Sequence, residues 1–164
     1  MNTEDSQKRF RALLEEHKRL LFKVCHSYTN NADDRDDLAQ EITIQLWRAF
    51  HSFDGRAKFS TWMYRVALNV AISYQRREKG SRTERIPDDE RLFVLEPSVS
   101  QPEEIQMLYQ FIANQEPLNR ALILLYLDGH SHKEIADVLG ITETNVATKL
   151  NRLKAAMKQE FGTA

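Results

Sequence analysis

The side chains best suited to chemistry lie in the segment ETNVATKLNRLKAAMK, residues 143–158. Thr144, Ala147, Thr148, Asn151, Arg152 and Lys154 recur at helical spacings and share one face. That face is short, polar and cationic, with no large apolar group. Asn and Arg can each hold a base edge through two hydrogen bonds, and short side chains let a helix enter the major groove. Lys149 and Lys158 flank the face, where an ammonium meets phosphate oxygens. The chemistry is hydrogen-bonded recognition of duplex DNA. A three-helix packing unit would also carry a charged, solvated face, and what favours DNA is the spacing upstream. Ala136, Gly140 four residues later and Val146 six after that have the helix-turn-helix spacing.

A second constellation runs from Arg56 to Arg85. Arg56, Lys58, Arg65, Arg76, Arg77, Lys79, Arg82 and Arg85 are opposed only by Glu78 and Glu84. Phe59, Trp62 and Tyr64 stand at the start of the helix in this block. Cations for phosphates and π-faces for unstacked bases are what single-stranded DNA requires. Trp62 and Tyr74 read as core, since large aromatics at helical spacing usually pack inward. In a third group, Asp37, Gln40, Glu41 and Ile44 sit three and four residues apart on one helical face. An acidic, polar face with an apolar edge suits a basic helix of another protein. Acids in a first helical turn also offset the macrodipole, which accounts for Asp33 to Asp37 but not for Gln40 and Glu41 farther in.

Other chemistries lack their residues. There is one cysteine, Cys25, so a disulfide framework and a cysteine zinc site within the chain are excluded. His130 and His132 lie two apart in a turn without a carboxylate cluster, which is poor for a metal. No Ser-His-Asp pattern or Gly-rich phosphate loop is present. The reading is of a non-enzyme with no cofactor. The first residues have no apolar leader, and no run approaches the roughly 18 apolar residues that span a bilayer. A cytoplasmic location without membrane insertion is expected.

The elements that must position these groups follow from periodicity. Phe10, Leu13, Leu14, Leu20, Leu21, Val24 and Tyr28 predict one helix over 6–29, with Cys25 in the core and His26 on the surface. NNADD (30–34) breaks it and caps a second helix over 33–52, with Leu38, Ile42, Leu46, Trp47 and Phe50. A third helix is predicted over 60–78, capped by Ser60, with Trp62, Val66, Ala67, Val70 and Tyr74 along it. Periodicity fades through 81–102, where Pro and Ser cluster and a local turn is expected at Leu92–Leu95. It resumes at Glu103, continues through Leu118 to Leu127, and ends in the helix-turn-helix. There Ser131 and Thr142 cap two helices, Gly140 ends the first, and Ile135, Ala136 and Leu139 share an inner face. Val146, Leu150, Leu153 and Met157 form the buried stripe of the second. The fold class is all-α: two small helical domains, 1–80 and 103–164, joined by a flexible linker over 81–102.

The formal net charge of the 164 residues is −1, which conceals the distribution. The basic block is followed by an acidic one, Asp88, Asp89, Glu90, Glu96, Glu103, Glu104 and Glu116, against Arg91 alone. Such asymmetry suits a chain with both polyanionic and protein partners.

Asp37-Leu38-x-Gln40-Glu41, Leu46-Trp47, Phe59-x-Thr61-Trp62, Asn69 and Arg76, upstream of a helix-turn-helix, resemble the extracytoplasmic-function (ECF) sigma factors, the smallest members of the sigma-70 family. The resemblance covers about 6–80 and 103–160, in order. It implies that the chain binds core RNA polymerase, with Asp37, Gln40, Glu41, Ile44 and Trp47 on the β′ clamp helices and the second domain on the β flap. It implies that Lys58, Phe59, Ser60, Asn69, Arg76 and Arg77 act at the −10 promoter element, where the strands open. It places Thr144, Ala147, Thr148, Lys149, Asn151, Arg152 and Lys154 on the −35 element. An anti-sigma factor is a frequent further partner in the family. The linker is implied to run through polymerase channels, its negative charge mimicking nucleic acid. Three positions depart from the family pattern: Leu68 in place of Arg or His, Ser73 in place of Asp, and Ala147 in place of Arg or Lys.

A stand-alone helix-turn-helix regulator would explain residues 131–158 but leaves Gln40–Glu41 and Phe59–Trp62 without a purpose. A metal-dependent helical nuclease would cleave DNA unaided, and a pure interaction protein would not need a basic recognition helix.

Overall fold

The computed structural model describes residues 3–80 and 102–162. Every regular element among the described residues is helical. The chain divides into two compact units, within 1–97 and 98–164. The linker expected over 81–102, with its turn at Leu92–Leu95, lies outside the described residues except for Pro102.

The first unit contains α1 (Thr3–Glu16), α2 (Lys18–Tyr28), α3 (Ala32–Ala49) and α4 (Phe59–Gly80), with a 3₁₀ turn at Phe50–Ser52. The single helix expected over 6–29 is two helices. The break falls at His17, whose backbone leaves the helical region (φ −109°, ψ 21°). Its ring donates from Nδ1 to the Leu13 carbonyl at 2.9 Å, and the ring centroid lies 5.0 Å from that of Phe59. No Gly or Pro marks the site. A contact with a residue 42 positions away accompanies the break, and periodicity within the segment could not show it.

The core of this unit is Leu21, Val24, Cys25, Leu38, Ile42, Leu46, Met63, Ala67 and Ala71, all fully buried. Asn31 caps α3, its Oδ1 accepting the Asp34 N–H at 2.8 Å. α4 begins one residue earlier than expected. Lys58 stands at the cap position with its carbonyl accepting from the Trp62 N–H, so Ser60 lies inside the first turn and is not the cap. The buried face of α4 is also rotated from the expected one. Phe59, Met63, Tyr64, Ala67, Leu68 and Ala71 are inside, while Trp62, Val66, Val70 and Tyr74 are half-buried. Two overlapping apolar stripes run along this helix, and packing against α2 and α3 selects one of them. Leu68 is thereby a core residue, 1% exposed.

The second unit contains α5 (Glu103–Ala113), α6 (Pro117–Leu127), α7 (His132–Leu139) and α8 (Glu143–Phe161). α6 is its centre. Ala121, Leu122, Ile123, Leu124 and Leu125 are all buried, as a helix apolar on every side must be. Arg120 reaches back from α6 to the C-terminal end of α5, donating from Nη2 to the Ala113 carbonyl at 2.7 Å and from Nε to the Gln115 carbonyl at 2.9 Å. These acceptors would otherwise be left open at a helix end. The α6–α7 turn is tied by His130, whose Nδ1 donates to the Leu125 carbonyl at 3.2 Å.

Candidate nucleic-acid interface

The recognition unit is built by its caps. The Ser131 Oγ accepts the Glu134 N–H at 3.1 Å, and the Ser131 N–H donates to Glu134 Oε1 at 3.2 Å. This reciprocal box fixes where α7 starts. Gly140 ends it at φ 71°, ψ 32°, a backbone that β-carbon-bearing residues rarely adopt. The Thr142 Oγ1 accepts the Asn145 N–H at 3.0 Å and starts α8. Ile135 and Ala136 face inward as expected. Val138 is buried beside them, and Leu139 and Ile141 are only half-buried. Val146, Leu150 and Leu153 lock α8 from below, with Met157 half-buried.

On the outer side of α8, Thr144, Thr148, Asn151, Arg152 and Lys154 are exposed, with Ala147 and Lys149 half-buried. The structure brings all seven expected residues onto one helix. Two have further engagements. The Thr148 hydroxyl donates back to the Thr144 carbonyl at 3.0 Å, which leaves its oxygen free to accept. The Lys154 ammonium lies 4.4 Å from the Tyr126 ring centroid, a cation–π contact that holds it toward α6. Tyr126 is not among the expected site residues, because it lies within the apolar run of α6 and nothing in the local sequence marks it as a partner of α8.

In the first unit the basic and aromatic groups are sorted differently from expectation. Phe59 is 7% exposed, its ring 5.5 Å from Phe53, 5.5 Å from Trp62 and 5.0 Å from His17. It is a packing residue and offers no free face to a base. Trp62, expected in the core, is half-buried, and its ring lies 5.4 Å from that of half-buried Phe53. Arg9 stands over the rings of Phe50 and Phe53 at 5.6 and 5.9 Å. Arg9 and Phe53 are not among the expected site residues; the four aromatics Phe50, Phe53, Phe59 and Trp62 within 13 positions are the signal that could have found the ring cluster. Lys58, Asn69, Arg76 and Arg77 are exposed and Ser60 is half-buried. Gly55 (φ 80°) turns the loop before them, and Asp54 holds Arg56 through its backbone N–H at 3.0 Å and its Nε at 3.3 Å.

On α3, Asp37, Glu41, Ile44 and Trp47 are half-buried, but Gln40 is 1% exposed. The helical spacing put Gln40 on the docking face, whereas packing turns it inward beside Leu38, Ala39 and Thr43. Trp47 rests on Phe10, with ring centroids 5.3 Å apart. Glu41 is paired with Arg77 of α4. Glu41 and Gln45 of α3 face Asn69, Val70, Ser73 and Arg77 of α4 across an open groove.

Two titrations bear on this unit. Burial pushes the Cys25 thiol far above its ordinary value, so it is an inert core group. His26 is half-buried, not on the surface. It stacks on Phe22, and its Nδ1 accepts from Arg35 at 3.1 Å. Burial first, and the Arg35 charge second, hold its pKa below the usual 6.5.

A capped helix-turn-helix with an exposed polar-cationic second helix, and a separate helical unit carrying a basic loop beside half-buried rings, are the features of a DNA-binding protein. Residues 13–81 match the family of sigma-70 region 2, and residues 106–157 match that of sigma-70 region 4. The ECF RNA polymerase sigma factor SigW of Bacillus subtilis is 25% identical, over 94% of this chain and 90% of its own. The ECF RNA polymerase sigma-E factor of Escherichia coli K12 is 28% identical, over 92% of this chain and 85% of its own. The fold is similar to that of the sigma factor RpoE solved with the anti-sigma factor NepR from Bartonella quintana (TM-score 0.73, 17% identity, 95% of this chain and 98% of that one). It is also similar to CnrH solved with the cytosolic domain of CnrY (TM-score 0.65, 21% identity, 95% and 89%). The chain belongs to the sigma-70 family of RNA polymerase sigma factors, within its extracytoplasmic-function group.

Proposed function

We propose that this chain binds core RNA polymerase and directs it to promoters by reading two separated elements, one with each unit. α8 lies in the major groove of the −35 element. Thr144, Ala147, Thr148, Asn151 and Arg152 meet base edges, while Lys149, Lys154 and Lys158 meet phosphates. The first unit takes the −10 element as its strands separate. Lys58, Ser60, Asn69, Arg76 and Arg77 contact the displaced strand, and the half-buried rings of Phe53 and Trp62 replace buried Phe59 as the stacking surface. Phe59 acts one step back, as the ring that holds both. Asp37, Glu41, Ile44 and Trp47 dock the β′ clamp helices, with Gln40 holding the shape of that face from within, and the second unit meets the β flap. The polymerase performs the chemistry, and the protein works in the cytoplasm where that enzyme is. Among the described residues no helix is long and apolar enough to cross a membrane. One of the solved structures similar to this chain is a complex with an anti-sigma factor, NepR, which supports an anti-sigma factor as a further partner of this chain.

One observation carries the reading: the region 2 match and the region 4 match occur in one chain, in order. A stand-alone regulator has no use for the first. Hydroxyl-radical footprinting tests it. Core polymerase with this chain is expected to protect two patches on a promoter fragment, one around each element, that core polymerase alone leaves open. Protection of a single patch by the free chain, unchanged by polymerase, would contradict the proposal.

A further inference from the structure

Lys154 leaves α8 at the margin of its buried stripe. It follows buried Leu150 by four residues and precedes exposed Lys158 by four, so the three lie in one row. Its stem therefore starts beside the side of α8 that packs on α6. The ammonium ends 4.4 Å from the centroid of the Tyr126 ring. That ring stands on a fixed base. Tyr126 belongs to the last turn of α6, and three backbone bonds close that end. The Asp128 N–H donates to the Leu124 carbonyl at 3.1 Å, the Gly129 N–H to the Tyr126 carbonyl at 3.0 Å, and the His130 N–H to the Leu125 carbonyl at 3.1 Å. Tyr126 is half-buried and Lys154 exposed, so ring and ammonium meet where a ligand can still reach the cation.

A lysine stem is flexible, and settling on one phosphate costs it rotamer freedom. A ring contact present beforehand removes part of that freedom, which is preorganisation. The ring face takes one side of the ammonium. Its three N–H groups point in different directions, so the others stay available to an oxygen. We propose that Tyr126 is a positioning residue for the −35 contact: its ring holds the Lys154 ammonium at one phosphate beside that element. The inference rests on the function proposed above, in which Lys154 meets a phosphate. Tyr126 itself touches no DNA. The held cation fixes where α8 sits along the DNA backbone, and Asn151 and Arg152 read base edges from that register. A cation–π contact at an exposed site is weak, so the effect on affinity is about 2- to 5-fold.

Phosphate-ethylation interference tests this, on a promoter fragment bound by core polymerase with the full chain. Lys154→Gln is expected to lose interference at one phosphate beside the −35 element and to flatten the dependence of log affinity on log salt by about 0.9. Tyr126→Leu is expected to weaken interference at that same phosphate alone, with affinity lowered about 2- to 5-fold, and to change nothing further in a Lys154→Gln background. Tyr126→Met carries the same expectation and serves if leucine unfolds the unit. Tyr126→Phe keeps the ring face and should match wild type. Full interference at that phosphate in Tyr126→Leu and Tyr126→Met would overturn the positioning role. Weakening spread evenly over all phosphates in both would do the same, since that marks a damaged fold. Equal loss in Tyr126→Phe would move the effect to the hydroxyl and overturn the cation–π account. An unchanged pattern in Lys154→Gln would overturn the phosphate contact and the clamp with it, leaving the two-element reading intact. Absence of any −35 interference with wild type would overturn the proposed function itself.

Discussion

Asn151 and Arg152 stand exposed on α8, while Leu150 and Leu153 on either side of them are buried. Their backbone is fixed from below and their heads are free, which is the condition for reading a base edge. Arg152→Ala is therefore expected to relax selectivity at one position of the −35 element at a cost of about 1–3 kcal/mol, measured by competition binding to a set of single-base variants. Equal loss on specific and random DNA would make Arg152 a phosphate contact. At the same scale His26 carries a pH dependence. Its folded-state pKa lies below the unfolded 6.5, so the unfolded chain binds the extra proton between those two values. Stability rises with pH through that window and is lost as pH falls below 6.5. Protonation also removes the Nδ1 lone pair that accepts from Arg35. Urea midpoints at about pH 7.5 and about pH 5.5 are expected to drop further for wild type than for His26→Gln. Equal drops would remove His26 from the acid response.

At the scale of the element, local chemistry was legible wherever a cap or a special backbone angle decided the outcome. Ser131, Gly140 and Thr142 do in the structure what their residue types foretell, and so does Asn31 within the run NNADD. Gly140→Ala leaves space for the added carbon but not for the left-handed backbone. It should destabilise the second unit by about 1 kcal/mol, read from the thermal unfolding of the full chain, and a neutral result would mean that the turn refolds. Illegible were the features settled between elements. The break at His17 accompanies packing on Phe59, and the roll of α4 is set by α2 and α3, so Phe59, Leu68 and Gln40 proved to be inside and Trp62 at the edge. Periodicity states that a helix has an apolar face. It does not choose between two stripes of similar width, and the candidate −10 residues lie along that boundary. Leu46→Ala, at the fully buried centre of α3, is expected to cost about 2–5 kcal/mol and to abolish polymerase binding through loss of the first unit. Retained binding at 37 °C would show that α3 docks without its core.

For the whole molecule, a net charge of −1 hides a basic block over 56–85 and an acidic stretch after it, so the charge supports a nucleic-acid partner only when it is read along the chain. Two units, each with its own core, suit two elements separated along a promoter. The central claim is that this chain gives polymerase its choice of start site. The most direct measurement is run-off transcription from a pooled library of genomic fragments by core polymerase with and without the protein, with start sites mapped by sequencing. A discrete new set of starts, sharing one −35 and one −10 sequence and weakened by Arg152→Ala, is the expected result. Transcripts identical with and without the protein would contradict it.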